Sequence, residues 1–181
     1  MNAKDDEPIV IANYDASWPT IFEQEKALLK ASLGDAAISI DHIGSTAVPG
    51  LSAKPVIDIQ IGVKEVQPDT EYAEKLAVLG YQSKPDAFDN QHLFFYKTSK
   101  DGRRTHHVHI VEEGTNEQMR HIVFRDYLRS NPRGATEYEA LKRAMAEKFT
   151  NDRSAYVDAK TAFITLALCM YGSTSGQPQD Q

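Results

Sequence analysis

Two features in the first third of the sequence have the residue types and the spacing of a phosphate-binding site. Gly44 and Ser45 form a predicted turn, in which backbone N–H groups and a hydroxyl can converge on an anion. Residues 46–57 separate this turn from Asp58, which lies on the next predicted strand. That spacing allows the turn and the carboxylate to face the same bound phosphate. Lys54 lies just before the strand, where its ammonium group can neutralise phosphate charge.

A pair of histidines on a later predicted strand is the second candidate for chemistry. His107 and His109 alternate with apolar residues, so the two imidazoles share one face of that strand. Asp58 and Gln60 share the polar face of their own strand by the same two-residue period. If the two strands are neighbours, all four side chains lie on a single wet face. Two imidazoles at this spacing suit a metal ion, although an ordinary exposed strand also carries such a pair.

The C-terminal third of the chain offers further positive charge. Arg125 and Arg129 are four residues apart and share one face of a predicted helix, and Lys160 lies on a later helix. Such residues are often ordinary surface groups, and Asp126 and Asp152 are available as ion-pair partners. We take Arg125 and Lys160 as the candidate phosphate ligands from this region.

The composition limits the possible partners. The chain of 181 residues has 20 basic and 26 acidic side chains, a net charge of −6, and 41% hydrophobic residues. This balance argues against broad binding to nucleic acid or to an anionic membrane, since both need a basic face. The lone Cys169 excludes a disulfide within the chain and a cysteine-based metal site. Because no apolar run approaches about 18–20 residues and the N-terminus lacks a signal-peptide pattern, we expect a cytoplasmic location.

The pattern of hydrophobic residues and turns predicts one α+β domain over residues 9–171, flanked by flexible segments over 1–8 and 172–181. A mixed sheet is expected to precede a cluster of helices. The predicted elements are a helix over 17–34, strands over 37–43 and 56–62, a helix over 68–79, a hairpin of strands over 91–97 and 106–111, and three helices beginning near 115, 136 and 154. Thr115–Gln118 and Thr136–Glu139 are capping-box patterns that mark the starts of two of these helices.

Three segments and one helical spacing carry a resemblance to a known family. The segments are YDASWPTIFEQEK, DHIGSTAVPGLSAKPVIDIQIGV and HVHIVEEGTNEQMRHIVFRDYLRSNP, and the spacing is that of Tyr156, Lys160 and Phe163-Ile164. Together they resemble the GrpB family of small bacterial proteins over about residues 9–168. That family is grouped with the nucleotidyltransferase superfamily, whose motif is a Gly-Ser turn followed by Asp-x-Asp or Asp-x-Glu. The resemblance implies a nucleotidyltransferase-like mixed sheet with an N-terminal helix and a C-terminal helical cluster.

The same resemblance implies roles for particular residues. Gly44 and Ser45 would contact a nucleotide triphosphate, and Asp58 would hold a divalent metal such as Mg²⁺ or Mn²⁺. The chain departs from the superfamily pattern at Gln60, where the second metal carboxylate is expected, because a neutral amide brings no charge to a hard cation. His107 and His109 are the nearest candidates for the place of a third carboxylate. Imidazole suits Zn²⁺, Ni²⁺ or Mn²⁺ better than Mg²⁺, so the metal differs or the transferase activity is lost.

Two functions follow from these residues, and the sequence leaves both open. In the first, Asp58, His107 and His109 are catalytic and hold a metal, while a nucleoside monophosphate is transferred. In the second, the chain is a non-catalytic module for a nucleotide or another phosphorylated small molecule, and Gln60 marks the lost metal carboxylate. A third reading, a nucleotide hydrolase with a histidine nucleophile, is weaker because Val111 stands where such motifs carry another histidine.

Overall fold

A five-stranded sheet with helices packed on both faces forms the protein. The structure is a computed structural model that describes residues 9–84, 92–150 and 152–174. The elements in chain order are α1 (Trp18–Leu33), β1 (Ser39–Ile43), β2 (Ile57–Val63), α2 (Asp69–Ala77), β3 (Tyr81–Ser83), β4 (His92–Thr98), β5 (Arg104–Glu112), α3 (Asn116–Ser130), α4 (Pro132–Lys148) and α5 (Arg153–Thr174). The segments 1–8 and 175–181, predicted to be flexible, lie outside the described residues.

The sheet is mixed, as the sequence predicts. Its strand order is β1-β2-β5-β4-β3. β2 and β5 pair in parallel, whereas the other neighbours are antiparallel. The short edge strand β3 was not predicted, because three residues are too few to show an alternating pattern. The α+β class is confirmed.

One face of the sheet packs against α1 and α2 to form the main hydrophobic core. Alternate residues of β2 and β5 point into this core, and Ile59, Ile61, Val108 and Ile110 have no exposed surface. The apolar side of α1 supplies its side of the core with Trp18, Phe22, Leu29 and Leu33. Burial of these side chains fixes which face of β2 and β5 is left for polar residues.

The opposite face lies beneath the C-terminal helices. α3 contacts β1 and β5, and α3, α4 and α5 pack on one another. A second cluster of buried side chains joins these helices to the loop between β1 and β2; its buried members are Val48, Leu51, Tyr127, Leu128, Tyr138 and Ala167. The β1–β2 loop is therefore held against the helices as well as against the sheet.

One of the two predicted capping boxes begins a helix, and the other does not. Thr115 caps α3 as predicted, since its side chain accepts a hydrogen bond from the Gln118 backbone N–H. The prediction that Thr136 opens the next helix is wrong, because α4 begins at Pro132 and is capped by Asn131, which accepts from the Gly134 N–H at 2.9 Å. Proline is well suited to the first helical position, so the asparagine before it becomes the cap.

The last helix is longer than predicted. α5 runs to Thr174, past residue 171, where the predicted domain ends. Some of its apolar side chains, including Leu166 and Met170, are exposed. In the part of the chain that the structure describes, no helix has the length and apolar character required to cross a membrane.

The buried position of Ile59 gives a test of the core. Ile59→Ala should lower the free energy of unfolding by about 2–5 kcal/mol, because it leaves a cavity in a fully packed region. Ile38→Ala makes the same chemical change at a side chain that is 56% exposed, and it should cost less than about 0.5 kcal/mol. Urea unfolding of the two variants measures the difference, and equal losses would contradict the assigned faces of the sheet.

Candidate functional site

The polar residues of β2 and β5 are brought together by the parallel pairing of the two strands. In the register of this pair, Asp58 is opposite His107 and Gln60 is opposite His109. The four side chains therefore share the face that lies beneath α3, α4 and α5. The expectation of an open wet face is wrong for Gln60, which has no exposed surface because the helices cover it.

Asp58 forms the central contact of the site with His107. The Nδ1 atom of His107 lies 2.8 Å from Oδ1 of Asp58. An ionised carboxylate only accepts hydrogen bonds, so Nδ1 is the donor. Burial alone would raise the pKa of Asp58, but the His107 hydrogen bond and the electrostatic interactions with His107, His109 and Lys160 lower it to about 2. Asp58 is thus a carboxylate at neutral pH, and its side chain is 30% exposed.

Gly44 brings the turn after β1 into contact with this carboxylate. Its φ of 71° lies in the left-handed region, which favours glycine. A Cβ atom at this position would lie 2.5 Å from Oδ2 of Asp58, so only glycine permits the approach. Ser45 then opens the 3₁₀ turn Ser45–Ala47. The turn and Asp58 therefore meet, as their spacing in the sequence allows.

A cavity of about 370 Å³ lies beside these groups. Its lining includes every predicted site residue except Arg125, namely Gly44, Ser45, Lys54, Asp58, His107, His109 and Lys160. Aromatic and aliphatic side chains form much of the remaining wall, among them Phe94, Phe124, Tyr138, Tyr156 and Ile164. The cavity thus combines charged groups with an apolar surface, as ligand sites commonly do.

Arg125 does not line the cavity, contrary to the sequence-based prediction. Its Nε donates to Asp126 Oδ1 at 2.8 Å, and its Nη1 donates to the backbone carbonyl of His42 at 3.2 Å. Asp41 Oδ1 is a further partner at 3.4 Å. The hydrogen bonds of the guanidinium group are made to protein groups, because α3 faces the end of β1. Arg125 therefore fixes the strand before the Gly44 turn and does not reach the cavity.

Three lysines line the cavity, and one of them is not among the predicted residues. Lys54 and Lys160 lie over the ring of Tyr156, with Nζ at 5.5 and 4.3 Å from its centroid. Lys142, the additional lysine, is 2% exposed and donates to the backbone carbonyl of Ser52. Its position four residues after Tyr138, on the same face of α4, is the sequence signal that indicates its burial.

The histidines near the site belong to a buried network around Gln60. The Gln60 side chain donates from Nε2 to the Gln118 carbonyl at 3.1 Å, and its Oε1 is 2.6 Å from Nδ1 of His121. His109 Nδ1 is 2.8 Å from Nε2 of His92. Burial and the neighbouring imidazoles of His121 and His92 hold the pKa of His109 well below its ordinary value. His109 is therefore neutral at neutral pH, and both polar atoms of the Gln60 amide are engaged within the protein.

A metal site made by side chains alone is not formed by the described residues. Among residues 9–84, 92–150 and 152–174, no group of three or more His, Cys, Asp and Glu side chains is placed to hold a metal ion. The predicted ligand set of Asp58, His107 and His109 is included in that statement. Asp58 nevertheless offers an ionised carboxylate beside the cavity, which suits a hard cation that takes its other ligands from a bound phosphate.

The fold of the chain is that of the nucleotidyltransferases. A structure of the Cid1 poly(U) polymerase with Mg and 3'-dATP bound matches it with a TM-score of 0.54 and 15% identity, over 82% of this chain and 49% of that one. At this level of identity the likeness concerns the fold alone.

The family is narrower than the fold. A family model described as GrpB protein matches residues 8–169. The crystal structure of the conserved protein GrpB from Enterococcus faecalis has a TM-score of 0.84 and 32% identity, and the match covers 93% of this chain and 100% of that one. The UPF0157 protein YqkA of Bacillus subtilis (strain 168) is 36% identical over 159 residues, which make up 88% of this chain and 46% of that protein. The chain therefore belongs to the GrpB family, and it spans about half the length of YqkA.

The contact between Gly44 and Asp58 can be tested with two alanine substitutions. Gly44→Ala and Gly50→Ala both place a side chain at a positive φ, of 71° and 78°, which costs about 1–2 kcal/mol. Only Gly44→Ala also forces Asp58 to move, since a Cβ at Gly50 has no atom within 4 Å. Gly44→Ala should therefore be the more destabilising of the two in urea unfolding. Equal losses of stability would show that the close approach to Asp58 is not required.

Proposed function

We propose that this cavity binds a nucleotide or another phosphorylated small molecule together with a divalent metal ion, and that the protein transfers a nucleoside monophosphate from the bound nucleotide. The observation that carries the proposal is the meeting of the Gly44 turn, the Asp58 carboxylate and three lysines around one cavity. These groups come from separate parts of the chain. The likeness of the fold to nucleotidyltransferases supports the same assignment.

The phosphates of the ligand are assigned to the side of the cavity with the Gly44 turn and the lysines. Ser45, Lys54 and Lys160 line the cavity. Ammonium groups neutralise phosphate charge, and the ring of Tyr156 lies beneath both Lys54 and Lys160. The apolar wall near Phe94 and Phe124 is available for the nucleoside.

Mg²⁺ or Mn²⁺ is the metal that the residues fit best. Magnesium is usually bound by one or two carboxylates and by substrate phosphates, so Asp58 alone can serve as the protein ligand. When bound, the ion would neutralise charge on the phosphates during transfer. Zn²⁺ or Ni²⁺ would require imidazole ligands, and His109 Nδ1 is already paired with His92.

The chain's own residues would act mainly by positioning and by neutralising charge. The His107 hydrogen bond holds Asp58 in one orientation and keeps it ionised. His107 and His109 border the cavity on the same face, where they would orient the ligand. His107, which Asp58 holds through Nδ1, would accept a proton from the group that attacks the phosphate. Arg125 and Arg129 would hold the Gly44 turn in place, since they donate to the carbonyls of His42 and Ala47.

The proposal is tested by measuring the binding of ATP, CTP, GTP and UTP in the presence of MgCl₂ or MnCl₂. At least one should bind by isothermal titration calorimetry, and release of pyrophosphate should report transfer. Asp58→Asn should weaken the metal-dependent binding by about 10- to 100-fold, because it removes the charged ligand. Asp35→Asn, at an exposed position at the end of α1, is the matched control and should bind like the parent.

Two results would contradict the proposal in different ways. If none of the four nucleotides binds, the cavity is not a nucleotide site. If a nucleotide binds equally well with and without the divalent ion, and Asp58→Asn has no effect, the metal has no place in the site.

A second candidate function is a non-catalytic module that binds a nucleotide or another phosphorylated ligand without turnover. It is favoured by Gln60, which replaces the second metal carboxylate of the superfamily pattern. Its side chain is fully buried, is hydrogen-bonded to Gln118 and His121, and does not line the cavity. Binding without release of pyrophosphate, with either metal, would favour this function over transfer.

A structural role for Gln60 gives a separate expectation. Gln60→Glu should lower the free energy of unfolding by about 1–3 kcal/mol, because a carboxyl oxygen then faces the Gln118 carbonyl, which loses its donor. Gln82→Glu makes the same change at an exposed position and should be nearly neutral. Urea unfolding measures both variants. A Gln60→Glu variant that keeps its stability and gains metal-dependent turnover would show that position 60 reaches the metal after all.

A further inference from the structure

Lys142 is a buried lysine whose ammonium group is hydrogen-bonded to a neutral group. Its side chain is 2% exposed, and its Nζ donates to the neutral backbone carbonyl of Ser52. The ring of Tyr138 lies 5.0 Å from Nζ. Among the described residues, no carboxylate forms an ion pair with Lys142. Burying a charge without a counter-charge costs free energy, so such a group is either neutral or is paired with the negative charge of a bound ligand.

The position of Lys142 indicates where that anion enters. Lys142 borders the same cavity as Ser45, Lys54 and Lys160, so an anion bound there lies close to these lysines. Glu139, three residues earlier on α4, accepts hydrogen bonds from Ser52 N–H and from Arg143. It acts on Lys142 through its charge and forms no direct ion pair with it.

We propose that Lys142 is a phosphate-binding residue of this cavity, and that its ammonium group pairs with a phosphate of the ligand. The inference rests on the proposed function and adds to it a residue and a dependence on pH. The chemical class of ligand is a phosphate ester or polyphosphate that carries at least one ionised phosphate within reach of α4.

The charges around Lys142 decide how it responds to the ligand. Burial, together with the positive charges of Lys160 and Arg143, lowers the pKa of Lys142 to about 7. Glu139 and Asp58 act in the opposite direction. Much of Lys142 is therefore neutral in the free protein at pH 8. A phosphate in the cavity favours the charged form, so Lys142 takes up a proton when the ligand binds.

The sign of the pH dependence follows from this uptake. Below pH 7 Lys142 is already charged, and binding needs no proton. Above pH 7 each bound ligand requires protonation of Lys142, so the affinity falls as the pH rises, by at most about tenfold per pH unit until the pKa of the complex is reached. The ligand's own phosphate ionisation is the same for the parent and for a variant, so comparison of the two isolates Lys142.

The test compares the parent protein with Lys142→Met by isothermal titration calorimetry at pH 6 and pH 8. The probes are the nucleoside triphosphate that the parent binds best and inorganic tripolyphosphate, both in the presence of MgCl₂. Buffers with different ionisation enthalpies report the number of protons taken up. Lys64→Met, at a side chain that is 88% exposed, is the matched control for loss of a lysine charge. Thermal unfolding checks that each variant is folded.

The parent should bind more tightly at pH 6 than at pH 8 and should take up protons at pH 8. Lys142→Met should bind about 10- to 100-fold more weakly at pH 6 and should lose the proton uptake that is due to Lys142, while Lys64→Met should match the parent. In addition, NMR of the parent with ¹³C-labelled lysine should show the pKa of Lys142 rising in the presence of the probe. This measurement needs no Lys142→Met protein, so it decides the question even if that variant fails to fold.

Other outcomes separate the two levels of the inference. If the parent binds a probe but Lys142→Met binds it equally well, with the same proton uptake, Lys142 is only a structural contact to Ser52 and the inference is overturned while the proposed function stands. A large loss of thermal stability with unchanged affinity leads to the same conclusion. If the parent binds neither nucleotide nor tripolyphosphate, the proposed function fails and the role of Lys142 fails with it.

Discussion

The parallel pairing of β2 with β5, in the register that sets Asp58 opposite His107, is the constraint on which the rest of the structure depends. The alternate residues of the same strands, including Ile59 and Val108, are fully buried against α1 and α2. A shift of one residue in either strand would turn its isoleucines or valines toward the helix cluster and its polar groups into the core. The hydrophobic effect therefore fixes which face of the two strands carries the polar groups.

The charge in the cavity is unusual for a chain with a net charge of −6. Lys54, Lys142 and Lys160 border one cavity in which Asp58 is the acidic group. Aromatic rings lie beneath each of the three ammonium groups and attract them through their π electrons. Such an arrangement has more positive than negative charge near a ligand-sized space, although the chain as a whole is acidic.

The C-terminal helices shape the site by holding the β1–β2 loop at two places. Arg129 on α3 donates from Nε and Nη2 to the carbonyl of Ala47, just after the Gly44 turn. Three residues of α4 bind Ser52. Glu139 accepts a hydrogen bond from the Ser52 N–H, Arg143 donates to the Ser52 hydroxyl, and Lys142 donates to the Ser52 carbonyl. The turn and Lys54 are thus positioned by helices that are more than seventy residues away in the sequence. A change in these helices would alter the cavity without touching its lining.

The sequence by itself determined the features that depend on neighbours along the chain: the alternation that separates Asp58 from the core, the Gly44-Ser45 turn, the Thr115 cap and the family. Hydrophobic periodicity and turn-forming residues are local features, so they can be recognised in a single sequence. Only the tertiary structure decided that Arg125 donates a hydrogen bond to β1, that Gln60 is buried in a histidine network, and that Lys142 borders the cavity. Each of these outcomes depends on which helix face meets which strand, and that is fixed by packing between residues far apart in the chain.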